Sequence, residues 1–88
     1  MLALYDEHAR NLLGYFQSRT FSPETAADLC AETFATAIES HHNYRGELGE
    51  PGAWLWGIAR NLLRGYQRSA VVEHRARQRL ALRTPTAV

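Results

Sequence analysis

The sequence predicts an all-α fold, a three-helix bundle spanning about 3–19, 23–42 and 53–69 with a helical C-terminal extension. Three observations predict it. Apolar residues return at three- and four-residue steps, the period of a helix with one buried face. Ser22-Pro23-Glu24 forms a helix start, and the stretch 44–52 interrupts the period with three glycines and a proline. Strand-like alternation and internal repeats are missing from the chain. At 88 residues this is one small domain with a single core, and chains of this size bury about 60–65% of their unfolded surface.

In the first helix Leu4, Tyr5, His8, Leu12, Tyr15 and Phe16 form the apolar face, and Gly14 weakens it. The second helix begins where Ser22 accepts from the first free amides, Pro23 occupies the first helical position, and Glu24 sits at the positive end of the dipole. Its expected buried stripe is Ala27, Cys30, Phe34, Ala37, Ile38 and His41. Asp28 and Glu32, one turn apart, project from another side. After the loop, a third helix from near Ala53 buries Leu55, Ile58, Ala59, Leu62 and Tyr66. Arg60, Arg64 and Arg68 stack at four-residue steps on the opposite side, with Asn61 at their edge. Arg75 and Arg79 would continue the row, but Val71 and Val72 intrude on it, so a kink or a new helix is expected near Ser69–Val72. Residues 1–83 form the domain, and 84–88 are expected to be a flexible tail or linker.

The net charge of +1 hides a polarity. Residues 1–50 carry three arginines against eight acids (−5), and residues 51–88 carry seven arginines against one acid (+6). Two different partners, or mutual neutralisation within the fold, would each account for it; the basic half favours nucleic acid. Apolar residues are 45% of the chain, normal for a folded domain, and no run approaches the roughly 20 apolar residues of a membrane span. Asp6 and Glu7 stand where a signal peptide carries basic residues. The single cysteine, Cys30, excludes an internal disulfide and a cysteine-rich zinc site, consistent with a cytoplasmic protein.

Cations that follow phosphates, together with aromatic faces, hold single-stranded nucleic acid. Arg60, Arg64 and Arg68 beside Tyr44, Trp54 and Trp56 supply both, although a solvated arginine face with core tryptophans fits the same pattern. Trp54 and Trp56, two positions apart on a helix, point in different directions, so at most one faces DNA. Asn61 can read an exposed base edge. Asp28 and Glu32 lack a metal-ligand partner or a phosphate loop, which leaves a solvated acidic face or one that docks a basic partner. His41 and His42 lie about 100° apart on a helix, unlike a zinc pair. Cys30 reads as a small core residue. The pattern shows no enzyme, no catalytic residue, no metal site and no cofactor.

The runs Asp28-Leu29-Cys30-Ala31-Glu32-Thr33-Phe34, Tyr44-Arg45-Gly46 and Ala53-Trp54-Leu55-Trp56-Gly57-Ile58-Ala59-Arg60-Asn61-Leu62-Leu63 resemble region 2 of sigma-70-type RNA polymerase sigma factors, nearest the extracytoplasmic-function branch. That family has an Asp-Leu-x-Gln-Glu-x-Phe helix, an aromatic-Arg-Gly corner and a Trp-Leu-x-x-Ile-Ala-x-Asn helix, in this order. The resemblance covers about residues 4–70. It implies that Asp28, Leu29 and Glu32 dock on the beta-prime clamp coiled coil of core RNA polymerase. It also implies that Tyr44, Arg45, Trp56, Arg60, Asn61, Arg64 and Arg68 bind the non-template single strand of the promoter minus-ten element, Asn61 at a flipped base. An anti-sigma factor is a further partner the family allows.

This sequence departs from that pattern. Ala31 replaces the usual glutamine, Thr25 and Ala27 stand where acids are common, and Gly57 stands where a basic residue is frequent. The acidic, glycine-rich stretch 47–52 does not carry over a base preference. A preceding helix and a second DNA-binding domain have no counterpart, as in an excised domain. The rival readings are a helix-turn-helix reader of duplex DNA, disfavoured by the long second loop, and a helical protein-interaction or regulatory module without specific DNA binding.

Overall fold

The computed structural model describes residues 2–41 and 50–83. Helix α1 spans Leu2–Thr20, α2 spans Pro23–Ser40 and α3 spans Pro51–Arg83, with no strand among the described residues. The fold is therefore all-α, as the periodicity predicted.

Local chemistry sets the helix ends. The peptide N–H of Phe21 donates to the Gln17 carbonyl at 3.2 Å, and the Thr20 hydroxyl donates to that of Phe16 at 2.8 Å, closing α1. Phe21 itself adopts φ 57°, the left-handed conformation that often follows a helix. Ser22 then caps α2, its side-chain oxygen accepting from the Thr25 amide at 3.2 Å. Helix α3 begins at Pro51, two residues earlier than expected, because proline fits the first helical position and the Glu50 carbonyl accepts the first helical bond from Trp54 at 3.1 Å.

The core is built from Leu12 and Phe16 of α1, Ala26, Leu29, Phe34 and Ala37 of α2, and Leu55, Ala59 and Leu63 of α3. Leu63 was absent from the expected face. In α2 the buried stripe is Ala26, Leu29, Thr33, Phe34 and Ala37, rotated from the expected one. Ala27 and His41 are exposed, Cys30 is half-buried, and Ile38 is 59% exposed. The rotation follows from two neighbours pressing on α2. The α1 side meets Phe34, whose ring lies 5.0 Å from that of Tyr5, and Cys30, whose thiol lies 3.9 Å from the Ala9 carbonyl. The α3 side meets Leu29, which shares a groove with Asn61, Leu62 and Tyr66. Burial of Thr33 costs little, because its hydroxyl donates to the Leu29 carbonyl at 2.7 Å.

Helix α3 runs through Ser69–Val72 without the expected break. Leu63 is its last buried residue and Tyr66 its last half-buried one; every residue from Gln67 to Leu82 is exposed. Past the bundle no core face has to be maintained, so Val71 and Val72, 48% and 61% exposed, conflict with nothing and backbone hydrogen bonding alone decides. The protruding helix gives the molecule its 60 Å long dimension against 23 and 17 Å for the others.

Candidate protein and nucleic-acid interfaces

Two chemically distinct surfaces emerge. On α2 the carboxylates of Asp28 and Glu32 are both exposed, one turn apart, as the spacing required. Leu29, expected beside them on the docking face, is only 6% exposed. Its side chain faces inward toward α3, so it supports the acidic face from beneath and is not presented on it. Glu32 also lines an open groove of about 430 Å³ between α2 and α3, together with Leu29, Asn61, Leu62, Gly65 and Tyr66. The acidic surface and the Asn61 edge of the arginine row are thus neighbours across one groove, a juxtaposition that their separation of about thirty residues conceals.

On α3, Arg60, Arg64 and Arg68 are exposed at four-residue steps. Nη2 of Arg64 lies 3.5 Å from Oδ1 of Asn61, at the long limit of a hydrogen bond. This contact engages the Asn61 carbonyl oxygen on the arginine side and leaves its amide N–H groups to solvent. Arg60 and Arg68 have no hydrogen-bond or ion-pair partner among the described residues.

Trp56, the tryptophan expected at the DNA, packs toward α1. Its indole N–H donates to Nδ1 of His8 at 3.4 Å, and its ring meets that of Tyr15 edge-on at 5.3 Å and 83°. Five residues apart on an α-helix are about 140° apart around the axis, so Trp56 points to α1 while Asn61 points to the α2 groove. Trp54 is the tryptophan that shares the Asn61 face. Seven residues apart, the two differ by about 20° around the axis and about 10.5 Å along it, and Trp54 is half-buried. That seven-residue spacing was visible in the sequence and is the signal that separates the two tryptophans. Tyr44, Arg45 and His42 lie outside the described residues.

Catalytic chemistry finds no support in the remaining groups. Burial pushes the Cys30 thiol above its ordinary pKa, the reverse of what activates a nucleophile. His41 is an exposed C-cap whose N–H bonds the Ile38 carbonyl. Among the described residues, no group of His, Cys, Asp or Glu is placed to hold a metal ion, and no helix is long and apolar enough to cross a membrane.

The sequence model of the family Sigma-70 region 2 matches residues 4–72. The chain is 39% identical over 71 residues to the ECF RNA polymerase sigma factor SigL of Mycobacterium tuberculosis, covering 80% of this chain and 40% of that one. It is 34% identical over 67 residues to the ECF RNA polymerase sigma factor BldN of Streptomyces coelicolor, covering 76% of this chain and 25% of that one. The chain thus spans less than half the length of these curated relatives. No solved structure matches it.

Proposed function

Because the chain belongs to the sigma-70 region 2 family, we propose that it serves as the promoter-opening module of an extracytoplasmic-function sigma factor. In this reading Asp28 and Glu32 dock on the beta-prime clamp coiled coil of core RNA polymerase, and α3 captures the non-template strand of the minus-ten element. The observation that carries it is the pairing of an exposed acidic face on α2 with the Asn61–Arg64 edge of α3 across one groove. A single domain can then hold polymerase on one wall and melted DNA on the other.

In this reading the roles divide between the two walls of the groove. Leu29 fixes the backbone under the acidic pair from inside the core. Arg60, Arg64 and Arg68 follow phosphates on the outer side of α3, and Asn61 offers its amide donors to one unstacked base. Trp54 lies on the Asn61 side and is better placed than Trp56 to meet a base. Tyr44 and Arg45 join the strand-binding group on the strength of the resemblance. The domain does no covalent chemistry. It opens DNA by binding the unpaired strand more tightly than the duplex, which shifts the equilibrium toward the open form by that difference in affinity. An anti-sigma factor would act by covering either wall of the groove, and the natural setting of such a module is the cytoplasm.

The test is a binding titration of the domain against a bacterial beta-prime clamp coiled coil, wild type beside an Asp28→Arg/Glu32→Arg variant. Saturable binding that the double variant loses supports the polymerase-docking reading. Absence of binding by the wild type would mean that Ala31 and Ala27 have removed the docking contacts, and a protein-interaction module without specific DNA binding would become the better description.

A further inference from the structure

The unbroken course of α3 creates a feature that a kinked helix would not have. Arg60, Arg64, Arg68, Arg75 and Arg79 fall within about 100° of arc on one side of a single unbroken helix, in a row about 28 Å long. All five are exposed. None has an acid three or four residues away on the helix. The one acid of α3, Glu73, is engaged by Arg77, which lies on another side. Arg75 and Arg79 have no hydrogen-bond or ion-pair partner among the described residues. Like charges one turn apart destabilise a helix, and here no tertiary neighbour offsets them. The row is a surface whose complement is a polyanion.

The aromatic residues show which polyanion. Single strands are held by cations interleaved with stacking faces, and the aromatic residues of α3 on the Asn61 side, Trp54 and Tyr66, both lie in its bundle half. Beyond Tyr66 the chain has no Phe, Tyr or Trp. The outer half therefore offers phosphate contacts with nothing for bases to stack on, and it offers them from one continuous helix. From Arg68 to Arg79 that helix rises about 16 Å, about five base-pair steps of B-DNA, which carries a charge every 1.7 Å or so along its axis. Arg75 and Arg79 also lie past residue 72, where the match to the sigma family ends.

We propose that the outer half of α3 is a second nucleic-acid site, in which Arg75 and Arg79, continuing from Arg68, bind the phosphate backbone of double-stranded DNA. The site goes beyond strand capture and rests on that reading only for its orientation: the duplex it holds is the one flanking the captured single strand. The extension tethers the junction between paired and unpaired DNA by its paired side, without reading sequence.

The test uses the whole chain and three DNAs of mixed sequence: a short duplex, the matching single strand, and a fork in which the duplex continues into that strand. Fluorescence anisotropy is measured across a salt series for wild type, Arg75→Gln/Arg79→Gln and Asn61→Ala. Glutamine keeps a helix propensity close to that of arginine, and far-ultraviolet circular dichroism checks that the helix content is unchanged. The Arg75→Gln/Arg79→Gln variant should bind duplex and fork about threefold to tenfold more weakly at moderate salt, lower the salt slope by about 2, and leave single-strand affinity unchanged. Unchanged duplex and fork binding overturns the proposal, as does an equal loss on all three DNAs. Binding to anionic lipid vesicles without binding to duplex DNA also overturns it. Failure of the strand-capture reading is seen separately, as wild-type protein that ignores the single strand, and it leaves the duplex result intact.

Discussion

The indole N–H of Trp56 donates to Nδ1 of His8 across 3.4 Å, joining the start of α3 to α1. The bond requires His8 to keep Nδ1 unprotonated, which places its proton on Nε2, 3.9 Å from the Glu7 carboxylate. Trp56 is thereby committed to holding two helices together. Trp56→Phe should keep the edge contact with Tyr15, lose the hydrogen bond, and destabilise the domain by about 0.5–1.5 kcal/mol. Thermal unfolding reads this as a fall of a few degrees, with single-strand affinity unchanged. A loss of DNA affinity at constant melting temperature would return Trp56 to the DNA face.

The contact between Arg64 and Asn61 separates three arginine and asparagine variants that would otherwise look alike. Asn61→Ala should remove discrimination at one base, about 1–3 kcal/mol between promoter-type and scrambled single strands. Arg60→Ala should weaken every sequence alike and lower the salt slope by about 1. Arg64→Ala should do both, because its guanidinium contributes phosphate affinity and also reaches Asn61 Oδ1. Anisotropy titrations with the two strands distinguish the three patterns. Equal weakening of both strands by Asn61→Ala would remove that residue from base reading.

Backbone conformation predicts stabilisation at one turn. Phe21 holds φ 57° with its side chain 91% exposed, so its ring contributes almost no burial while its Cβ crowds the left-handed conformation. Phe21→Gly should raise stability by about 1 kcal/mol, seen as an increased denaturation midpoint with an unchanged slope. The opposite exchange at Gly52 should give no such gain. A Cβ there would sit 3.0 Å from Nε2 of His8, whose ring would have to shift while it also accepts from the Trp56 indole. If Gly52→Ala proved as stabilising as an ordinary helical glycine-to-alanine exchange, the His8–Trp56 clasp would be looser than described.

Cys30 supplies the pH dependence. Burial raises its thiol pKa in the folded state above the unfolded value of about 8.5, so the folded chain retains a proton that the unfolded chain releases. The associated stability is fully present below the unfolded pKa and is lost as pH rises through the folded one. Unfolding midpoints should therefore fall on the alkaline side, and Cys30→Ala should flatten that fall. Alkylation of Cys30 at neutral pH should likewise be slower than that of a free thiol.

What the sequence determined by itself was local. Ser22-Pro23-Glu24 start α2, because cap, proline and dipole act within one turn and need no partner. The kinds of side chain on α3, and the spacing of Arg60, Asn61, Arg64 and Arg68, follow from the helical period alone. Even the placement of Trp54, and not Trp56, on the Asn61 face was available in the seven-residue step.

Tertiary structure decided the rest. Periodicity says that α2 has a buried face but not how far two unequal neighbours will turn it. Packing against α1 and α3 placed Leu29 and Thr33 inside and left Ala27, Ile38 and His41 outside. Thr33 was unreadable because its burial depends on a hydroxyl satisfied by its own helix. The continuity of α3 escapes the periodicity for the opposite reason. Val71 and Val72 break a helix's pattern only where a core enforces one, and beyond Tyr66 no neighbour does. The groove that sets Glu32 beside Asn61 is likewise a product of packing, since only the contact of α2 with α3 brings residues so distant in the chain to face one another.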